Sequence, residues 1–409
     1  MPKIWEKNLG YNLLRIYSDA TVRFSFKSVA IEGMEKVPED GVVILAPNHC
    51  NTLMDALVVL VAHQETVVFG ARADIFRKKS AAAVLRWLRI LPFTRARDGL
   101  RNVADNEYVM DEILDTLENG VKFCMFSEGT HRTKHSLLPI KKGISRIALR
   151  ADERLRGSGR DVYIVPMGLE YGDYFRFKTT VTVRHGDPIN VSEYVRNNPE
   201  MLESDIHRNI MAELHDRIAS LITYLPDNSN YDADWTLFKI SGNKDEEHPE
   251  KLRKAALRFE KKRKAAQISF HSLGYEYPVT RIIVKTLFAL VSLPVFLLCS
   301  VLSLPIWLLS GILKLKVKDQ AFVNTVRFGC KFLLLPLLFI IWAVLFFNTM
   351  PWYAAVALLL LFCYSNSVHY LYVEFVRVLV SDYRLLFRKD IRMQYESIRK
   401  RIKRRKTNS

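Results

Sequence analysis

Apolar and polar positions alternate in blocks along the first two hundred residues. Five short runs, at 42–46, 66–69, 121–126, 162–166 and 181–183, read as strands, and the first four are nearly unbroken in apolar character. A strand that is apolar on both faces belongs in a sheet covered on both sides. Between these runs, residues 53–62, 81–91, 101–117 and 143–150 carry apolar residues at helical spacing, and 199–224 reads as a long amphipathic helix. Strands alternating with helices predict an α/β domain over residues 1–225, a mixed sheet flanked by helices.

The pattern then changes. Residues 226–280 form a basic helical linker, in which Lys251, Arg253, Lys254, Arg258, Lys261, Lys262, Arg263 and Lys264 fall on one charged helix, either solvated or lying on a membrane surface. Residues 282–313 and 332–373 are almost free of charge, and a run of about 20 apolar residues is what a hydrocarbon core requires of a helix. An all-α transmembrane region is therefore expected over 281–376. Spans at 332–348 and 352–373 flank an uncharged turn, with Lys331 and Arg377 at their outer ends, and the positive-inside rule puts those ends in the cytoplasm. The earlier segment, 286–313, is basic on both sides yet too short for two crossings. It is expected as a re-entrant hairpin bent near Pro294 or Pro305, or as a single long tilted helix.

Charge and cysteines narrow the partners. The formal net charge is +17, and ten Lys/Arg against two acidic residues between Arg388 and Lys406 sit just beyond the last apolar run. Juxtamembrane clusters of this kind meet anionic lipid headgroups, which makes the bilayer rather than nucleic acid the expected partner of the 377–409 tail. The N-terminal stretch lacks the apolar core of a signal peptide, so the α/β domain and the tail are both expected in the cytoplasm. Cys50, Cys124, Cys299, Cys330 and Cys363 fall at no metal-ligand spacing and read as buried free thiols.

Candidate chemistry concentrates at two strand ends. His49 follows the run 42–47, where α/β sheets place their sites, and Asp55 follows six residues later. With Thr52 as N-cap, Asp55 takes the third helical position and faces back toward the loop that holds His49. Such a pair has the parts of a general base and its orienter; it also has the parts of a capping box beside an ordinary turn histidine. The second strand end, Phe126-Ser127-Glu128-Gly129-Thr130, is followed by His131, Arg132, Lys134 and His135, a set suited to a ligand bearing hydroxyls and phosphate. Between the two, Arg95 and Arg97 follow Pro92, and guanidinium forks bind phosphate bidentately. His131 and His135 also have the i, i+4 spacing of zinc ligands, but no HExxH pattern holds them, and no metal is expected. Cys50 and Cys124 as acylated nucleophiles have only adjacency in their favour.

In this order, the four stretches 48–55, 92–97, 126–130 and 165–168 resemble the glycerolipid acyltransferase superfamily, over roughly residues 30–190. Within it, the fungal-type glycerol-3-phosphate and dihydroxyacetone-phosphate acyltransferases are most similar: five residues separate their His and Asp, as here, and their text around 138–143 and 186–189 is alike. Two positions depart from the pattern, Ser127 in place of Pro and His131 in place of Arg. The resemblance implies that His49 deprotonates the acceptor hydroxyl, that Asp55 fixes its tautomer, and that Arg95, Arg97, Glu128, Gly129, Thr130 and Arg132 bind substrate. It implies no cofactor beyond the acyl donor, acyl-CoA or acyl-carrier protein, and a glycerol-phosphate acceptor. A lysophosphatidate acyltransferase is the alternative within this chemistry. An inactive lipid-binding membrane scaffold is the alternative outside it.

Overall fold

The computed structural model describes residues 3–6, 8–93, 103–243, 248–274 and 278–408. It divides into two compact units: Met1–Tyr224 with Val317–Phe328, and Leu225–Lys316 with Gly329–Ser409.

The first unit is a mixed sheet flanked by helices. Its strands are β1 (Ser28–Glu32), β2 (Val42–Pro47), β3 (Val67–Arg72), β4 (Ile90–Phe93), β5 (Lys122–Met125), β6 (Val162–Tyr171), β7 (Thr180–His185) and β8 (Ile189–Asn190). They lie in the order β1-β7-β6-β2-β5-β3-β4, with β8 beside β6. The run β6-β2-β5-β3-β4 is parallel, whereas β7 is antiparallel to β6 and carries β1 parallel to itself. Every residue of β2 is buried, which is why its sequence is a continuous apolar run rather than an alternating one. Val42, Ile44 and Ala46 join one core with Ile113 and Leu117 of α4 (Val103–Glu118), Ile144 and Ile147 of α5 (Gly143–Leu155), and Ile210 and Leu214 of α7 (Glu203–Leu221). The remaining helices of the unit are α1 (Leu9–Ser25), α2 (Leu53–Ala62), α3 (Lys79–Trp87) and α6 (Val191–Asn197).

The helix expected over 81–91 ends earlier, because Arg89 adopts φ +63° and turns the chain into β4. Pro92 is tolerated inside β4 because that strand is the sheet edge. Gly168 is fixed by packing: a Cβ there would lie 2.6 Å from Leu221 Cβ and 2.8 Å from its carbonyl oxygen, at the end of α7.

A buried histidine pair ties α2 to β7. His63 and His185 approach at 3.1 Å through their Nε2 atoms, and His185 Nδ1 lies 3.1 Å from the Glu32 carbonyl. The chain of bonds closes when both rings are neutral: His63 donates to His185, and His185 donates to Glu32. Burial first, then His185, Lys122 and Arg15, push the His63 pKa down to about 3. Below the ordinary histidine value the unfolded chain binds a proton that the fold refuses, so stability present at neutral pH is lost as the pH falls from about 6.5 toward 3. The expected loss from His63 is about 2 kcal/mol by pH 5. Thermal midpoints measured from pH 7 to pH 5 should fall more steeply for the wild type than for His63→Gln.

The second unit is helical: α8 (Tyr231–Ser241), α9 (Glu250–Ala265), α10 (Phe270–Leu273), α11 (Pro278–Leu302), α12 (Leu304–Lys316), most of α13 (Phe322–Thr349), α14 (Trp352–Leu386) and α15 (Lys389–Asn408). Three helices, Val279–Leu302, Phe322–Thr349 and Trp352–Leu386, are long and apolar enough to cross a membrane. The segment 286–313 is two helices that meet at Ser303. The chain stays helical through Pro294, and Pro305 sits in the first turn of α12, where a missing N–H costs nothing. Asp382 of α14 receives Lys285 at 2.8 Å and Arg281 at 3.4 Å. The charged linker helix is not solvated all round: Leu252, Ala256 and Phe259 of α9 share a core with Ile391, Tyr395, Ile398 and Ile402 of α15.

Candidate active site

β2 delivers the chain to the site, and Asn48 fixes where it leaves the sheet. Its side chain donates to the Leu169 carbonyl at 3.1 Å and accepts from the Leu169 N–H at 2.6 Å, so β6 is bonded to an amide that mimics another strand residue. The loop 49–52 then curls around one carboxylate. Asp55 Oδ2 accepts from Cys50 N (2.8 Å) and Asn51 N (2.7 Å) and lies 2.8 Å from His49 Nδ1, while Oδ1 accepts from the Tyr171 hydroxyl at 2.8 Å. The six-residue separation works because the carboxylate points back out of the first turn of α2 into this loop.

Thr52 is not a side-chain cap. Its backbone stands at φ +50°, ψ −124°, unusual for a β-branched residue. Its hydroxyl instead donates to the Ala321 carbonyl (3.3 Å) and pairs with Thr325 Oγ1 (2.7 Å).

Asp55 is fully buried, whereas the His49 side chain keeps 17% of its exposure. The imidazole stacks on Phe126 with centroids 4.2 Å apart. With Nδ1–H given to Asp55, Nε2 carries the lone pair, and a partly exposed ring backed by a buried carboxylate can take a proton from a substrate. Burial first, then the charge of Asp55, holds the Tyr171 hydroxyl well above its ordinary range, so it stays a donor. The Cys50 thiol is pushed up by burial, then by Asp55 and Glu128, and the Cys124 thiol by burial. Neither has the thiolate character of a nucleophile.

Glu128 is buried at the end of β5 and bonds backbone. Oε1 accepts from His49 N at 2.8 Å and Oε2 from Leu138 N at 2.7 Å, which ties the His49 loop to the chain after β5. Burial raises its pKa, against the pull of these two N–H groups. Replacing Glu128 with alanine leaves two part-buried N–H donors without this acceptor, at up to roughly 1–3 kcal/mol each. Thermal unfolding should show that loss together with reduced activity, because the His49 loop is released.

Gly129 adopts φ +71°, the left-handed region that favours glycine, and Thr130 is exposed beside it. Arg132 donates its N–H to the His49 carbonyl at 3.0 Å, and its guanidinium bonds Ser136 Oγ (2.7 Å) and the Leu137 carbonyl (3.2 Å), within its own loop. Arg95 and Arg97 lie outside the described residues. His131 and His135, spaced like zinc ligands, go to different neighbours: His131 to Asp319 at 2.8 Å, and His135 against the Tyr174 ring. No group of three or more potential ligands suited to a metal occurs among the described residues.

Two contributors escape a reading of local pattern. Tyr171 looks like an ordinary strand residue until the sheet brings it to Asp55. The segment 317–328 packs on the site: besides Thr325 and Asp319, Asn324 bonds the Tyr174 carbonyl and Arg327 the Phe175 carbonyl, the latter at 3.1 Å.

Comparisons with known proteins fall on the same region. Residues 28–170 match the acyltransferase family model. An uncharacterized acyltransferase of Schizosaccharomyces pombe is 24% identical over 124 residues, which is 30% of this chain and 18% of that protein's length. The crystal structure of the 1-acyl-sn-glycerophosphate acyltransferase PlsC from Thermotoga maritima aligns with a TM-score of 0.36 and 22% identity, covering 51% of this chain and 78% of that one. The segment from β1 almost to the end of β6, which holds His49, Asp55 and Glu128, is therefore similar in sequence to the acyltransferase family.

Proposed function

We propose that the protein is a membrane-bound acyltransferase that moves a fatty acyl group from an acyl thioester to a hydroxyl of glycerol-3-phosphate or dihydroxyacetone phosphate. The observation that carries this reading is the His49–Asp55 pair, 2.8 Å apart on a buried carboxylate and inside the acyltransferase-like segment.

In this reading His49 Nε2 takes the proton of the acceptor hydroxyl as its oxygen attacks the thioester carbon. Asp55 holds the ring in the Nδ1–H tautomer and stabilises the imidazolium that forms. The intermediate collapses with loss of thiolate, which receives the proton back from His49. General-base assistance contributes on the order of 10²–10⁴-fold, and holding two substrates together contributes the rest. Arg95 and Arg97 are the proposed phosphate ligands, with Gly129, Thr130 and Arg132 lining the approach. Glu128 acts first by fixing the His49 loop, with acceptor hydroxyls as its further partner. The donor is acyl-CoA or acyl-carrier protein, and no other cofactor is invoked. By the positive-inside rule the α/β unit and the basic tail lie on the cytoplasmic side of an anionic bilayer.

Purified protein in lipid nanodiscs, supplied with acyl-CoA and each of glycerol-3-phosphate, dihydroxyacetone phosphate and lysophosphatidate, tests the assignment. Preference for either unacylated acceptor supports it. Preference for lysophosphatidate moves the acceptor, and no transfer to any of them removes the activity.

A further inference from the structure

The loop after β5 places one more ring against the base. His131 stands perpendicular to His49, with ring centroids 5.5 Å apart and an interplanar angle of 81°. Its Nε2 lies 2.8 Å from Asp319 Oδ2, and Phe322 packs edge-on at 5.3 Å. Asp319 and Phe322 belong to the 317–328 strap, which lies almost two hundred residues later in the chain yet forms part of the same compact unit.

Asp319 is held from two sides. Oδ1 accepts the Ala321 N–H at 2.9 Å at the start of α13, which leaves Oδ2 for His131. Those same contacts, Ala321 first and His131 second, keep its carboxyl below the usual range and therefore ionised. The strap itself is pinned beside the catalytic loop by the Thr52–Thr325 hydroxyl pair at 2.7 Å.

We propose that His131, oriented by Asp319 of this strap, stabilises the oxygen anion formed on the thioester carbonyl during acyl transfer. This rests on the function proposed above. A hydroxyl within hydrogen-bond reach of His49 attacks a carbonyl carbon about 3–3.5 Å away. A ring centred 5.5 Å from His49 is thus within reach of that carbonyl's oxygen. Arg132, its neighbour, bonds Ser136 and Leu137 in its own loop instead. With Nε2–H given to Asp319, Nδ1 is the nitrogen left to donate, and the scheme requires a proton on it, with Asp319 as the counter-ion. The step balances without consuming that proton. The carbonyl π pair moves to oxygen as the C–O bond forms and the hydroxyl proton passes to His49. The pair then returns as the C–S bond breaks, and His131 keeps its proton throughout. Asp319 is a positioning residue in this scheme, since it acts only through His131.

The test is a double-mutant cycle in nanodiscs with acyl-CoA and the preferred acceptor. His131→Phe, which keeps an aromatic ring, is expected to lose about 10²-fold in kcat, the cost of one preorganised donor to an oxyanion. Asp319→Asn, nearly isosteric, is expected to lose roughly tenfold in kcat with KM for the acceptor within about twofold, Asp319→Glu restoring part of it. In the His131→Phe background, Asp319→Asn should add no further loss. Thermal melting of each variant separates these effects from loss of fold. Near-wild-type kcat in Asp319→Asn, a loss confined to KM, or an additive loss in the double variant would overturn the proposal. Transfer by the wild type reports on the function itself, so its absence would overturn both, whereas the ratios between variants report on His131 and Asp319 alone.

Discussion

A His49→Ala enzyme is expected to fold normally and to lose roughly 10²–10⁴-fold of its acyl-transfer rate, the range set by general-base assistance. The ring is partly exposed and gives the fold a stacking contact on Phe126, an edge contact with His131 and one bond to Asp55. Its removal should shift the thermal midpoint little. The loss should appear in kcat more than in KM, because a general base acts on a hydroxyl only as the new bond to its oxygen forms. Initial rates at saturating donor and acceptor, compared with the wild type, give the number. A variant within threefold of wild type would mean that another group takes the proton.

Asp55→Ala is expected to be worse, because it removes activity and stability together. The carboxylate is fully buried and receives two backbone N–H groups and the Tyr171 hydroxyl as well as the imidazole. Deleting it strands three buried donors at roughly 1–3 kcal/mol each, a large share of the stability of a typical domain. Asp55→Asn separates the two effects. The amide can keep its oxygen toward Cys50 N, Asn51 N and His49 and turn its NH₂ to the Tyr171 hydroxyl, which can accept, so the protein should fold. A neutral amide, however, no longer stabilises an imidazolium at His49. A loss on the order of 10⁴-fold in kcat is the precedent for a buried aspartate behind a catalytic histidine. Melting curves and initial rates on both variants check the pair of expectations.

Much of the α/β unit could be read from the chain because its central strands are buried on both faces and leave continuous apolar runs. The edges could not. β1 is largely exposed and polar at both ends, so no run marks it, and β4 is four residues long with a proline inside. The N-terminal turns of α13 also precede the expected span. Asn324 and Arg327 lower the apolar signal there because those residues face the α/β unit.

The site divides in the same way. His49 and Asp55 are close in sequence, and their helix-start geometry is a local matter. Glu128 could be placed at a strand end, but its bonds to the N–H groups of His49 and Leu138 depend on which strands are neighbours, here β2 beside β5. Tyr171 and Asp319 reach the site over 116 and 188 residues of chain, and no periodicity carries that information.

The central claim is direct transfer with His49 as base, and the most direct measurement is thiol release from an acyl thioester by wild type and His49→Ala, each with and without the phosphorylated acceptor. The expected result is release that requires the acceptor in the wild type and falls by at least about 10²-fold in the variant. A stoichiometric burst of thiol without acceptor, or release undiminished in His49→Ala, would contradict it.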